Sequence, residues 1–109
     1  MILRQWRARA SLDNPDAYIE HFRRNLSVEL KSVPGFRGAS VYRQDRPDGV
    51  EFLVLSLWES ADAIRAFAGD DIGKAVVEPG AVAALIDYDD RVQHYRLVEE
   101  IAGSEPEAA

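Results

Sequence analysis

The chain has 109 residues, enough for one domain with a core of its own and too few for two. Apolar residues make up 47% and charged ones 29%, the balance of a globular chain. The lack of cysteine excludes a disulfide framework, a thiolate metal site and a cysteine nucleophile, and the net charge of −6 argues against nucleic acid as a partner.

The first stretch, MILRQWRARA, scatters arginines among its apolar residues and so lacks a signal-peptide core. No apolar run reaches the ~20 residues of a membrane span, so no membrane partner is expected and a cytoplasmic location is. Residues 2–10 alternate: Ile2, Arg4, Trp6, Ala8 and Ala10 share one face of a strand, with Leu3, Gln5, Arg7 and Arg9 opposite. Asn14-Pro15 then starts a helix, Asn14 as N-cap and Pro15 as first helical residue. Ile19, Phe22, Leu26, Leu30 and Val33 follow at helical spacing, giving a helix of about 18 residues that stops at Pro34-Gly35.

Two strands come next, 38–44 and 50–59, joined through Asp48-Gly49 as a hairpin. The second is apolar on both faces, Leu53, Leu55 and Leu57 pointing one way and Phe52, Val54 and Trp58 the other. Such a strand must be covered twice, by helices on one side and by a partner subunit on the other. Ser60 caps a short helix over 61–68 that Gly69 closes; a further short helix is expected over 81–86. Asp87 to Asp90 reads as a turn into a last strand over 91–98, and the end, GSEPEAA, has disordered composition. The order β-α-β-β-α-(α)-β predicts an α+β, ferredoxin-like split βαβ domain over residues 1–100, a four-stranded antiparallel sheet with helices on one face, and a flexible C-terminal tail over 101–109.

On this pattern several stretches fall together: Arg4-Gln5-Trp6-Arg7, Val33-Pro34-Gly35-Phe36-Arg37-Gly38, Leu57-Trp58-Glu59-Ser60, Ala66-Phe67-Ala68-Gly69 and His94-Tyr95. In their order and spacing the chain resembles the antibiotic biosynthesis monooxygenase (ABM) family over residues 2–98, especially its small stand-alone members. The resemblance implies a homodimer whose sheets meet face to face as a dimeric α+β barrel. It also implies a pocket between each sheet and its helices. Members of the family include cofactor-free oxygenases acting on polyphenols such as anthrones, quinol oxygenases, haem-degrading enzymes and proteins of no known activity. The haem degraders share an asparagine on the first strand, a tryptophan on the second helix and a histidine just beyond it. Here the first strand has no asparagine, Phe67 stands for the tryptophan, and residues 72–77 hold no histidine, so haem degradation is not expected.

Two histidines and no cysteine supply a metal poorly. A facial triad would need His21 and His94 to converge, and His21 falls on the polar side of its helix, so no metal site and no cofactor are expected. His94 is the candidate catalytic base, able to deprotonate a phenol or enol whose anion reacts with O₂ directly; a structural histidine bonded to a carbonyl is the alternative. Arg4 is the candidate anion stabiliser, or else the partner of Glu51, Asp87 or Asp89 in an ion pair. Trp6, Tyr18, Trp58 and Phe67 are candidate substrate-binding residues, or simply large core side chains. Two functions follow: a cofactor-independent oxygenase for a small aromatic or quinol substrate, or a non-catalytic dimeric module holding a small apolar metabolite.

Overall fold

The structure is a computed structural model that describes residues 1–104. Strand β1 (Ile2–Ala10) is central, pairing antiparallel along its whole length with β3 (Gly49–Trp58), which in turn pairs with β2 (Phe36–Arg46). The β2–β3 hairpin turns on Pro47-Asp48, and Gly49, at φ 155°, closes it where a Cβ would meet the Ala10 carbonyl oxygen at 2.9 Å.

The other edge of β1 departs from the expected single last strand. It carries two short pieces, β4 (Asp87–Tyr88) against Ala8 and Arg9, and β5 (Gln93–Arg96) against Ile2 to Gln5. Among the described residues the sheet thus has five strands in the order β2-β3-β1-β4, with β5 beside β4 on the β1 edge, where four were expected. Between the pieces the chain swings out and bonds the segment after the second helical region instead. Ala75 N–H donates to the Asp90 carbonyl at 2.9 Å, and Val92 N–H to that of Gly73 at 2.9 Å. Asp87 and Tyr88, read from sequence as turn residues, therefore lie in the sheet.

The long helix also differs from its simple periodic reading. It runs as α1 (Asp16–His21), a π-helical turn (Phe22–Leu26) and α2 (Ser27–Lys31), and Asn14 makes no side-chain cap. A π turn inserts one residue, which slips the helix phase by roughly 100°. On a regular helix Tyr18 and Leu30 would stand about 120° apart; the slip leaves about 20°. Both are buried, and Tyr18, not Ile19, is the deepest residue of the first half. The same slip brings His21 inward, under a later helix, rather than onto the polar side.

Helix α3 (Ala61–Ala68) forms as expected, with Ser60 Oγ accepting from the Ala63 N–H at 3.1 Å and Gly69 at φ 88° ending it. Helix α4 (Pro79–Ala84) starts two residues earlier than expected because Pro79 occupies its first turn. All helices lie on one face of the sheet, over two core clusters. One joins Ala10, Tyr18, Val50, Phe52 and Ala81; the other joins Leu30, Trp58, Ala63 and Ile64. The opposite face carries Leu3, Leu53, Leu55, Leu57 and Tyr42, of which Leu57 and Tyr42 are exposed. Residues 101–104 are exposed and without regular structure, and the rest of the expected tail lies outside the described residues. Among the described residues no helix is long and apolar enough to cross a membrane.

Candidate functional site

Pleating puts directly opposed residues of paired strands on one face. On the helix-facing side, Val54–Trp6 and Ser56–Arg4 are the middle rungs of the sheet, and β5 extends the latter to His94. These rungs fall in the seam between the two core clusters, and a cavity of about 40 Å³ opens there. Arg4, Trp6, Val54 and Ser56 form its floor. Leu26 and Leu30, from the π turn and α2, roof it with Phe67 of α3, while Ala39, Val76 and Val92 close the sides. That volume holds a few water molecules and no aromatic ring.

Arg4 is the centre of the site. Only 5% of it is exposed, and it reaches none of the carboxylates Glu51, Asp87 or Asp89 considered from sequence; Asp87 instead pairs with Arg9 and Glu51 with Arg46. Its Nη1 donates to the Ile72 carbonyl at 2.5 Å and lies 3.0 Å from His94 Nε2, while Nη2 donates to the Lys74 carbonyl at 3.0 Å. The carbonyls are held in place by Arg91, which forks onto Asp71 at 2.8 and 3.0 Å, and by the bridge of Lys74 to Arg91. With no counter-charge beside it among the described residues, burial lowers the Arg4 pKa to about 10.

His94 faces a donor that carries no lone pair, so its Nε2 must accept and its own proton must sit on Nδ1. Burial, and then the Arg4 charge, lower its pKa, which keeps the ring neutral.

The aromatic candidates divide. Trp6 and Phe67 line the cavity. Trp58 stands behind Phe67, stacked at 5.6 Å between ring centroids, and its Nε1–H donates to Ser56 Oγ at 2.8 Å. Tyr18 stands behind Trp6 at 6.0 Å, inside the first cluster. Its hydroxyl is buried without a hydrogen-bond partner among the described residues, and burial followed by the charge of Glu78 raises its pKa. His21 belongs to a separate group under α4, with Nδ1 3.0 Å from Asn25 Nδ2 and Nε2 3.4 Å from Glu78 Oε1. Among the described residues no three His, Cys, Asp or Glu side chains stand where they could share a metal ion.

Ser56 is the cavity residue that the sequence reading passed over. The signal was present: in the alternation Phe52, Val54, Ser56, Trp58 it is the one polar residue on an apolar face. Leu26, Leu30, Val76 and Val92 gave no signal separating cavity wall from core.

The model of the family described as antibiotic biosynthesis monooxygenase matches residues 1–87. The chain belongs to the ABM family. Solved structures agree in fold. A Bacillus cereus protein provisionally described as an antibiotic biosynthesis monooxygenase superposes with a TM-score of 0.66 at 18% identity, covering 96% of this chain and 98% of that one. SnoaB, a cofactor-independent oxygenase from Streptomyces nogalater, gives 0.62 at 15% identity over 94% and 98%. The haem degrader MhuD of Mycobacterium tuberculosis, solved with two haems in its active site, gives 0.59 at 16% over 94% and 100%. No curated protein matches by sequence.

Haem does not suit the residues of this ABM cavity. Among the described residues its lining holds no histidine, cysteine, methionine or tyrosine to ligate iron, and the neighbouring His94 has its Nε2 committed to Arg4.

Proposed function

We propose that this ABM protein is a cofactor-independent monooxygenase for a small aromatic or quinol substrate bound between sheet and helices. The observation that carries the reading is a buried guanidinium with no carboxylate partner among the described residues, set in a largely apolar cavity walled by Trp6 and Phe67. Such a charge stabilises an anion more strongly in a largely apolar cavity than it would in bulk water. A phenol, or the enol of a ring ketone, placed against Arg4 ionises more readily, and its carbanion form is electron-rich enough to pass an electron to O₂. For a ring methylene the balance is R–CH₂–R′ + O₂ → R–CO–R′ + H₂O. The substrate proton goes to water, a C–O bond forms to give a peroxide, and cleavage of its O–O bond gives the ketone and water.

In this reading Arg4 is the anion stabiliser and His94 holds it, since the engaged Nε2 leaves no free base at the cavity. Trp6 and Phe67 flank the substrate, with Trp58 and Tyr18 backing them. The cavity must widen to admit a ring, and the wall of Leu26 and Leu30 beside the π turn is where the helix is least regular. We also infer a homodimer, with Leu3, Leu53, Leu55 and Leu57 of each copy covering those of the other.

The test is O₂ uptake with anthrones and naphthohydroquinones against a no-protein blank. The expected result is uptake above the blank, cut by about 10²-fold in Arg4→Gln, the scale of one lost oxyanion donor. His94→Ala should cost less than the 10²–10⁴ typical of a missing base. Uptake no faster than the blank refutes the reading, and so does full activity in Arg4→Gln.

A further inference from the structure

Of the side chains that line the cavity, Arg4 and Ser56 are donors with capacity to spare. Arg4 has five N–H groups and makes three hydrogen bonds, two from Nη1 and one from Nη2. Its Nε–H and one Nη2–H, neighbouring donors of the planar fork, have no acceptor among the described residues. Ser56 stands directly across the strand pair, with Cβ atoms roughly 5 Å apart. Its oxygen accepts from the buried Trp58 indole, and its hydroxyl hydrogen goes to no described acceptor. Both residues are more than nine-tenths buried, at 5% and 8% exposed.

Neither residue holds a buried atom wholly without a partner among the described residues; what this rung offers is spare donor capacity at the wall of a cavity, open to acceptors that enter it. We propose that the cavity is built for a planar aromatic carboxylate, a monoanion with two neighbouring oxygen acceptors. One oxygen takes the free edge of Arg4 and the other is shared with the Ser56 hydroxyl. Ser56 is then the specificity-determining residue, held in its donor role by Trp58, and the flat apolar body of the ligand lies between Trp6 and Phe67. A neutral quinol satisfies fewer of these donors and leaves the buried charge uncompensated. This rests on the cavity being the ligand site, as proposed above, but not on any reaction with oxygen.

The test is calorimetric titration at pH 7 of the full chain with 2-naphthoate and with its neutral isostere 2-naphthamide. The expected result is saturable binding of the acid at least tenfold tighter than the amide, retained in high salt because the pair is buried. Ser56→Ala should weaken the acid several-fold, and Arg4→Gln should bring it to the level of the amide, with circular dichroism confirming that each variant is folded. Equal affinity for the two probes in the wild type, or binding of neither, overturns the proposal without recourse to a variant. A preference for the acid that survives in folded Arg4→Gln overturns it as well. If the acid is preferred and no substrate gives O₂ uptake, the oxygenase reading falls and this one stands; uptake without the preference does the reverse.

Discussion

Replacing Ser56 by Ala, Trp58 by Phe, and both together isolates the hydrogen bond that sets the direction of the Ser56 hydroxyl. Trp58 is fully buried, and Ser56 Oγ, 2.8 Å from Nε1, is the acceptor the structure gives its indole. Ser56→Ala leaves that N–H unpaired, which costs about 1–3 kcal/mol, toward the lower end if a water from the adjoining cavity reaches it. Trp58→Phe removes part of a ring packed between Phe36, at 5.3 Å, and Phe67, at 5.6 Å, and so leaves a gap worth about 1–2 kcal/mol, less than a full truncation to Ala. With the indole gone, Ser56→Ala has no donor to strand. The double variant should therefore be more stable than the sum of the single effects by about 1–1.5 kcal/mol.

Urea unfolding followed by far-UV circular dichroism measures all four proteins. For a domain of this size the slope is about 1 kcal/mol per M, so the coupling should appear as a departure from additivity of about 1 M in midpoint. Effects that add to within about 0.3–0.5 kcal/mol would refute the reasoning. The indole would then be satisfied elsewhere, and nothing would hold the Ser56 hydroxyl as a donor toward the cavity.

The pKa of His94 is held below 6.5, so between its folded and unfolded values the unfolded chain binds more protons. Stability therefore falls as pH drops through that window and is flat with respect to His94 above 6.5; His94→Gln should remove this acid limb in urea midpoints, and an unchanged limb would place its origin elsewhere. Gly35, at φ 88°, has no room for a side chain, since a Cβ would lie 2.7 Å from that of Ala63. Gly35→Ala should cost about 2–4 kcal/mol from strain and overlap together, lowering Tm by about 10 °C or more, and a drop under about 3 °C would contradict it. On the open sheet face, Leu55→Asp should turn a dimer into a monomer in sedimentation equilibrium. A wild type that sediments as a monomer at micromolar concentration would remove the homodimer.

Periodicity was informative wherever one interaction governed a segment. The two-residue alternation of β1 and β3, the Asp48-Gly49 turn and the Ser60 cap each follow from local chemistry, and the register of Ile2 with Trp58 through Ala10 with Val50 follows from matching their apolar faces. It failed where two demands competed. Tyr18 and Leu30 cannot both face the sheet on a regular helix, and the conflict is resolved by a π turn that no residue pattern announces. Asp87 to Val92 looks like turn followed by strand. In the structure the chain pairs first, leaves the sheet to hold residues 73–75, and then returns. That excursion satisfies contacts distant in sequence, which a local reading does not weigh.

The site shows the same division. That Arg4 shares a face with Trp6 follows from alternation alone, and its neighbourhood with His94 follows once the last strand is laid beside the first. Its charge state is another matter. Several carboxylates, Glu51, Asp87, Asp89 and Asp90 among them, lie on or near the strands beside it in sequence, and the ordinary outcome is an ion pair. The fold sends Asp87 to Arg9 and Glu51 to Arg46, and among the described residues Arg4 has only neutral partners: two carbonyls and an imidazole. A buried cation so treated lowers stability, and its pKa records the cost. Had the role been to join sheet and loop, a neutral side chain bonding the same carbonyls would do it without that penalty. The retained charge is therefore the strongest reason to expect an anion at this rung, and the free donors of Arg4 and Ser56 describe the shape of that anion more closely than any motif in the sequence does.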